Sequence, residues 1–283
     1  MTKVLGLIDG SQHYTPSVVD HLAFAAKALG ARAELIHVIG RRDIGSAPAD
    51  LSGSLDLGAR DELLRDLAAH DEQRAKLARK RGHVILSDAA QKLRESGLQD
   101  VGEELVLGDL LEAVEKREQG AELLVIGKRG EAADFARMHL GSNVDRIMRH
   151  AHVPVLVASR AFRPIEKILV AYDGGQSILK AVDFLRRSPL LKGRQIEIVQ
   201  ASTNSSSSDL ERLRADFEAS GFEASCKMLQ GEPEDAIASE CERSDIDLVV
   251  VGASGHSRLR AFFVGSTANE IVRKCMRPVL LFR

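Results

Sequence analysis

The sequence contains no tryptophan, and aromatic residues make up only 4% of it. Its hydrophobic cores must therefore be built mainly from Val, Leu, Ile and Ala. It also lacks any apolar run approaching the roughly 20 residues that a transmembrane helix needs. The N-terminal segment 1–4 leads directly into a strand-like run and shows no signal-peptide pattern. We therefore expect a cytoplasmic protein that has no membrane partner.

An excess of charge of one sign is also lacking. The formal net charge is −2 and there is no basic block, so nucleic acid is not expected as a partner. The three cysteines, Cys226, Cys241 and Cys275, are far apart and form no CxxC pair, which favours a reducing compartment and argues against a zinc site. We interpret them as small buried hydrophobic residues.

The common catalytic signatures are missing as well. The sequence has no GxxxxGK(S/T) phosphate loop, no HExxH and no GxSxG. No residue is therefore predicted to be catalytic, and none is predicted to bind a metal. His37 lies within an apolar strand, so we interpret it as a hydrogen-bonded core residue.

What the sequence does contain is an internal repeat of alternating strands and helices. Gly127 follows Asp9 by 118 positions, whereas Gly252 follows Asp173 by only 79, so the first copy carries about 40 extra residues. These fit a loop at 40–56 and a helical stretch at 57–96, in which Gly82 is the candidate for a break. The copies define two predicted domains, 1–160 and 165–283, joined by a short linker that contains Pro164.

Each copy alternates five strands with helices, which is typical of a parallel sheet with helices on both faces. The predicted fold class is therefore α/β, with two tandem Rossmann-like domains. Sheets of this kind bind ligands at the carboxyl ends of their strands, near the point where the strand order reverses. Asp9 and Asp173 follow the first strand of their copies, and glycine-containing loops follow the fourth.

The segment after the fourth strand of the second copy has the chemistry of a phosphate cradle. Two residues separate Gly252 from Gly255, and after nine more residues come Gly265 and Ser266 at a predicted helix start. Glycines let backbone N–H groups approach a ligand because no Cβ blocks the way. The first-turn N–H groups and the dipole of a helix favour an anion at its N-terminus.

This spacing, after a strand and before a helix, resembles the G-x2-G-x9-G-S/T pattern of the universal stress protein family, and the repeat resembles its tandem form. The resemblance covers essentially the whole chain. It implies that ATP, with or without Mg²⁺, or another adenine nucleotide is the ligand. The residues that it implies for the second copy are Asp173 for the adenosine part, Ala201 for adenine, and Gly252, Gly255, Gly265, Ser266 and Thr267 for the phosphates, with His256 beside them.

The first copy departs from that pattern. Ten residues rather than nine separate Gly130 from Gly141, and Lys128 and Arg129 occupy the gap between its first two glycines. The extra residue moves backbone N–H groups away from the phosphate position, whereas the two cations add positive charge to a phosphate site. The second copy is therefore expected to hold the better site. The candidates in the first copy are Asp9, Val38, Gly127, Gly130, Gly141 and Ser142.

Structural interpretations of these residues stay open. Asp9 and Asp173 are also suited to a turn before a helix, and Ser266 to a plain N-cap. Three functions remain in competition: a regulatory nucleotide-binding stress protein, a nucleotide-free scaffold that acts through protein contacts, and a weak ATPase.

The last strand of each copy is predicted to join the two copies. In this family that strand often pairs two domains edge to edge, which implies an internal pseudo-dimer through 155–157 and 279–281. Such pairing also covers sheet edges that would otherwise favour aggregation. A homodimer of the whole chain is a further expectation.

Overall fold

The structure is a computed structural model, and it describes residues 2–40, 57–129, 140–201, 207–253 and 265–283. The first half consists of β1 (Lys3–Ile8), α1 (Tyr14–Leu29), β2 (Arg32–Ile39), α2 (Leu57–Glu95), β3 (Val101–Leu107), α3 (Leu110–Glu115), β4 (Ala121–Gly127), α4 (Ser142–His150) and β5 (Val155–Ala158). The second half consists of β6 (Lys167–Ala171), α5 (Gln176–Arg187), a 3-10 turn (Pro189–Leu191), β7 (Gln195–Ala201), α6 (Ser207–Ala219), β8 (Glu223–Leu229), α7 (Pro233–Arg243), β9 (Leu248–Gly252), α8 (Ser266–Lys274) and β10 (Val279–Phe282).

The ten strands form one continuous sheet in the order β3-β2-β1-β4-β5-β10-β9-β6-β7-β8. Within each half all strands are parallel, and the order 3-2-1-4-5 of the first half recurs in the second. The α/β fold class predicted from the repeat is confirmed. In each half the strand order reverses between the first and fourth strands, which is where a ligand cleft is expected.

The two halves meet through β5 and β10, which pair antiparallel. Val279 lies opposite Val157, Leu280 opposite Leu156, and Leu281 opposite Val155. Both strands are four residues long and buried throughout. This pairing confirms the predicted internal pseudo-dimer, and it turns two potential sheet edges into the middle of a larger sheet.

Helices cover both faces of the sheet and bury two separate layers. On one face α1, α2, α5 and α6 contribute side chains such as Leu22, Leu86 and Phe217 to a common cluster. On the other face α3, α4, α7 and α8 contribute side chains such as Ile147 and Ile271. Successive strand residues alternate between the two clusters, as the period-two geometry of a strand requires.

The predicted break near Gly82 is wrong, because α2 runs uninterrupted for 39 residues. A Cβ at Gly82 would lie 2.6 Å from Cδ1 of Leu105 and 3.0 Å from Cδ2 of His37. Glycine therefore allows the helix to approach β2 and β3 closely, and that packing outweighs a helix-propensity cost of about 1 kcal/mol. Apart from Gly40, the predicted loop at 40–56 lies outside the described residues.

Candidate functional site

A cavity of about 1360 Å³ lies at the carboxyl ends of the first-half strands. Its walls come from the ends of β1, β2 and β4, the start of α4, and one face of α2. It sits where the order reverses between β1 and β4, as the sheet topology predicts. Five of the six first-half candidates line it: Asp9, Val38, Gly127, Gly141 and Ser142. The sixth, Gly130, lies outside the described residues, and the binding roles remain predictions.

Asp9 shapes the turn that leaves β1. Its carboxylate accepts a hydrogen bond from the backbone N–H of Ser11 at 3.0 Å, and Gly10 follows with a φ of +86° that favours glycine. Asp173 does the same in the second half, accepting from the N–H of Gly175 at 2.9 Å. Both aspartates therefore have a local structural role, and it is compatible with a contact to a ligand.

Gly127 and Gly252, at the ends of β4 and β9, allow close helix packing. A Cβ at Gly127 would lie 2.8 Å from Cβ of Tyr14 in α1. A Cβ at Gly252 would lie 2.8 Å from the backbone N of Ile178 in α5. The sequence pattern indicated only ligand approach for these glycines, and the structure adds a packing reason for each.

The N-terminus of α4 faces the cavity through Gly141 and Ser142. Gly141 is the N-cap and Ser142 the first helical residue, and the cap makes no side-chain hydrogen bond. In α8 the N-cap is likewise Gly265, so the interpretation of Ser266 as N-cap is wrong. In both helices the cap residue has no side chain to cover the first-turn N–H groups, which are the groups that attract anions.

Lys128 does not reach the cavity, contrary to the suggestion that it adds charge to a phosphate site. Its side chain is buried, and its Nζ donates a hydrogen bond to the carbonyl of Cys275, at the C-terminal end of α8 in the other half. Burial lowers the pKa of Lys128 to about 8, and the neighbouring Cys275 partly opposes that shift. The lysine therefore ties the first-half glycine loop to the second half.

Arginines line the cavity instead. Arg129 and Arg146 belong to the β4 and α4 side, and Arg146 is paired with Asp109 at 2.7 Å. The hydrogen bond from Arg146 lowers the pKa of the Asp109 carboxyl. Arg74 and Arg81 belong to α2, whose charged residues the local sequence alone would place on a solvated helix face. Together with the cavity-lining Ala78 and Ile85, they recur at spacings of four, three and four residues. This helical spacing is the sequence signal that identifies a shared face, and it was missed.

The second-half candidates are only partly described. Asp173, Ala201, Gly252, Gly265, Ser266 and Thr267 lie within the described residues, whereas Gly255 and His256 do not. A second cavity of about 300 Å³ lies between α5 and α6, and its described lining includes none of these candidates. The preference for the second half as the better site therefore stays a prediction. The described cavity that candidate residues line lies in the first half.

His37 is buried, and its Nδ1 donates a hydrogen bond to the carbonyl of Ile8 at 2.8 Å, which confirms the core interpretation. Cys241 and Cys275 are buried, and Cys226 is partly buried. Within the described ranges no group of three or more His, Cys, Asp or Glu side chains is placed to hold a metal ion. None of the described helices has the length and apolar character to cross a membrane.

Fold and cavity together define a class: a doubly wound, Rossmann-like α/β protein built as two repeated parallel halves. A sequence model described as the universal stress protein family matches residues 1–159 and 192–283. The universal stress protein Slr1230 of Synechocystis sp. is 35% identical over 288 residues, covering 100% of both chains. The chain therefore belongs to the universal stress protein family, in a tandem form.

Solved structures agree on the fold. A universal stress protein from Archaeoglobus fulgidus is 19% identical, with a TM-score of 0.74, covering 99% of this chain and 96% of that one. A universal stress protein solved in complex with cAMP is 24% identical over 43% of this chain and 98% of its own, with a TM-score of 0.35. That last likeness carries no weight for the ligand of this chain.

Proposed function

We propose that this protein binds ATP or a related adenine nucleotide and acts as a regulator in the stress response through binding. The observation that carries the proposal is the first-half cavity, where the candidate residues of β1, β2, β4 and α4 converge. A cavity at the switch point of a parallel sheet is the usual ligand site of this architecture. The two predicted domains, 1–160 and 165–283, are proposed as the repeating units.

The cavity offers complementary surfaces for the parts of a nucleotide. Val38 is a half-buried apolar residue at the end of β2, suited to the face of a base. Arg129 and the N-terminus of α4 at Gly141 and Ser142 supply positive charge and backbone N–H groups, suited to phosphates. The second half offers the complete glycine spacing, and we propose it as a second nucleotide site.

Calorimetric titration with ATP tests this proposal, using one charge substitution in each half. Ser142→Glu places a carboxylate where the phosphates would lie, while a helix N-terminus tolerates an acidic residue, so the fold is expected to be kept. We expect ATP affinity in the first half to fall at least tenfold, the size of one lost charge-assisted contact of about 1.4 kcal/mol or more. Ser266→Glu is the matching change in the second half.

Ser142→Ala and Ser266→Ala are the controls, because they remove the hydroxyl without adding charge. If ATP gives no heat and no thermal shift with the unaltered protein, nucleotide binding is refuted. The alternative is then a scaffold that acts through protein contacts, for which the exposed Leu77 and Val84 on α2 are a candidate surface. Phosphate release above background, lost in Ser266→Ala, would instead indicate a weak ATPase.

A further inference from the structure

The long helix α2 forms one wall of the first-half cavity and extends past the carboxyl ends of the strands. Its C-terminal part is buried on the sheet through Leu86, Ala90 and Leu93. Gly82 packs against His37 and Leu105, close to where β2 and β3 end. At 1.5 Å per residue, Arg74 lies about 12 Å further along the helix axis than Gly82. The first half of α2 therefore stands beside the cavity mouth rather than on the sheet.

One face of this wall is directed at the cavity. Arg74, Ala78, Arg81 and Ile85 recur at spacings of four, three and four residues, which is one helical face, and all four line the cavity. The equivalent helix of the second half, α6, has only 13 residues. Within the described residues this wall is therefore a property of the first half.

Arg81 stands beside the turn that ends β1. Its Nη2 is 3.8 Å from the position that a Cβ of Gly10 would take. Gly10 follows Asp9, the first-half counterpart of Asp173, to which the family resemblance assigns the adenosine part of the ligand. A negatively charged group on the ribose side of that adenosine would therefore meet Arg81, with Arg74 two helical turns further out on the same face.

The cavity thus has basic side chains on two of its walls. Arg129 and Arg146 lie towards the N-terminus of α4, and Arg74 and Arg81 lie on the α2 wall. Among the described residues, the acidic side chains in the lining are Asp9, Asp109 and Glu112, of which Asp109 is held by Arg146. At about 1360 Å³ the space also exceeds the roughly 300–1000 Å³ of an ordinary small-molecule pocket.

We propose that the first-half cavity selects a nucleotide that carries phosphate on both sides of the ribose, at the 5′ and the 3′ positions. The 5′ phosphates bind at the N-terminus of α4 and Arg129, and the 3′ phosphate binds Arg81 and Arg74. Guanidinium groups suit this task because they bind phosphate oxygens through paired, charge-assisted hydrogen bonds. The inference rests on the proposed function and adds the ligand class of the same site.

Adenosine 3′,5′-bisphosphate and AMP are the matched probes, since they differ only in the 3′ phosphate. Both are titrated by calorimetry into Ser266→Glu protein, in which binding to the second half is expected to be at least about tenfold weaker. We expect the bisphosphate to bind at least about tenfold more tightly than AMP, and this advantage to vanish in the Arg74→Ala/Arg81→Ala double variant. AMP affinity itself should change less than threefold in that variant.

Lys76→Ala/Arg79→Ala is the control, because it removes the same charge from exposed positions of α2 that do not line the cavity. If this control keeps the tighter binding of the bisphosphate, a direct contact with Arg74 and Arg81 is supported. If the control loses it to the same extent as the Arg74→Ala/Arg81→Ala variant, long-range electrostatic attraction explains the preference and the inference is overturned. Equal affinities of the unaltered cavity for AMP and the bisphosphate also overturn it. If ATP binds but the bisphosphate has no advantage, only this inference fails; if no nucleotide binds, the proposed function fails.

Discussion

Acidification should destabilise this protein through His21, a histidine of α1 that is fully buried. Its Nδ1 donates to the carbonyl of Ser17 at 2.7 Å, and Phe162 packs edge-on against the ring. Its Nε2 has no hydrogen-bond partner among the residues that the structure describes. Burial lowers the pKa of His21 from 6.5 to about 4, and the bond to Ser17 opposes that shift only in part. The folded state therefore favours the neutral ring.

The size and sign of the effect follow from the two pKa values. In the unfolded chain the ring binds a proton near pH 6.5, whereas in the folded protein it does so near pH 4. The contribution of the neutral His21 ring to the free energy of unfolding is therefore fully present above pH 6.5, and it is lost as the pH falls from 6.5 to 4. The total loss is about 3 kcal/mol, and about 2 kcal/mol of it falls between pH 7 and pH 5.

Urea unfolding of the unaltered protein and of His21→Gln at pH 7, 6 and 5 measures this contribution. Glutamine keeps a donor for the Ser17 carbonyl but does not titrate, so the difference in unfolding free energy between the two proteins should shrink or reverse by about 2 kcal/mol from pH 7 to pH 5. His21→Phe provides a second non-titrating variant. His70→Gln, at a side chain that is 61% exposed, is the control and should leave the slope unchanged. Parallel pH profiles for unaltered and His21→Gln protein would refute the reasoning.

Two further predictions concern stability. Gly252→Ala should lower the free energy of unfolding by about 1–3 kcal/mol, because the added methyl group would lie 2.8 Å from the backbone N of Ile178; an unchanged urea midpoint would contradict the packing role. The folded-state pKa of Lys128, lowered to about 8, lies below its unfolded value of 10.5, so its charged form is disfavoured by folding. Relative to Lys128→Met, the unaltered protein should therefore gain stability as the pH rises from 8 to 10.5, and thermal melts that keep a constant difference over that range would disprove it.

The sequence was sufficient for the architecture because its signals are local and repeated. Apolar runs such as 248–251 identify buried parallel strands, and the repeat places them in two equivalent halves. The four-residue strands that end the halves have no polar face, which indicates interior strands, and the family resemblance supplied their pairing with each other. All of this depends on residue type and order alone.

Other features depend on distances that only the folded chain sets. Gly82 reads as a helix breaker in sequence, yet its role is defined by Leu105 and His37 on neighbouring strands. Lys128 reads as a phosphate ligand, yet its Nζ reaches a carbonyl 147 residues away. Arg74 and Arg81 read as solvated charges until the length of α2 beyond the sheet becomes known. In each case a long-range contact decides between two readings that the local sequence allows equally.

The most direct test of the central claim is photolabelling with 8-azido-ATP followed by mass spectrometry of peptides. The reactive group sits on the adenine, so a base lying against the end of β2 should label the peptide that contains Val38 and Ile39. We expect this label to decrease when excess ATP is added and to be reduced in Ser142→Glu protein. Labelling that spares this peptide, or that ATP does not displace, would contradict a nucleotide site in the first-half cavity.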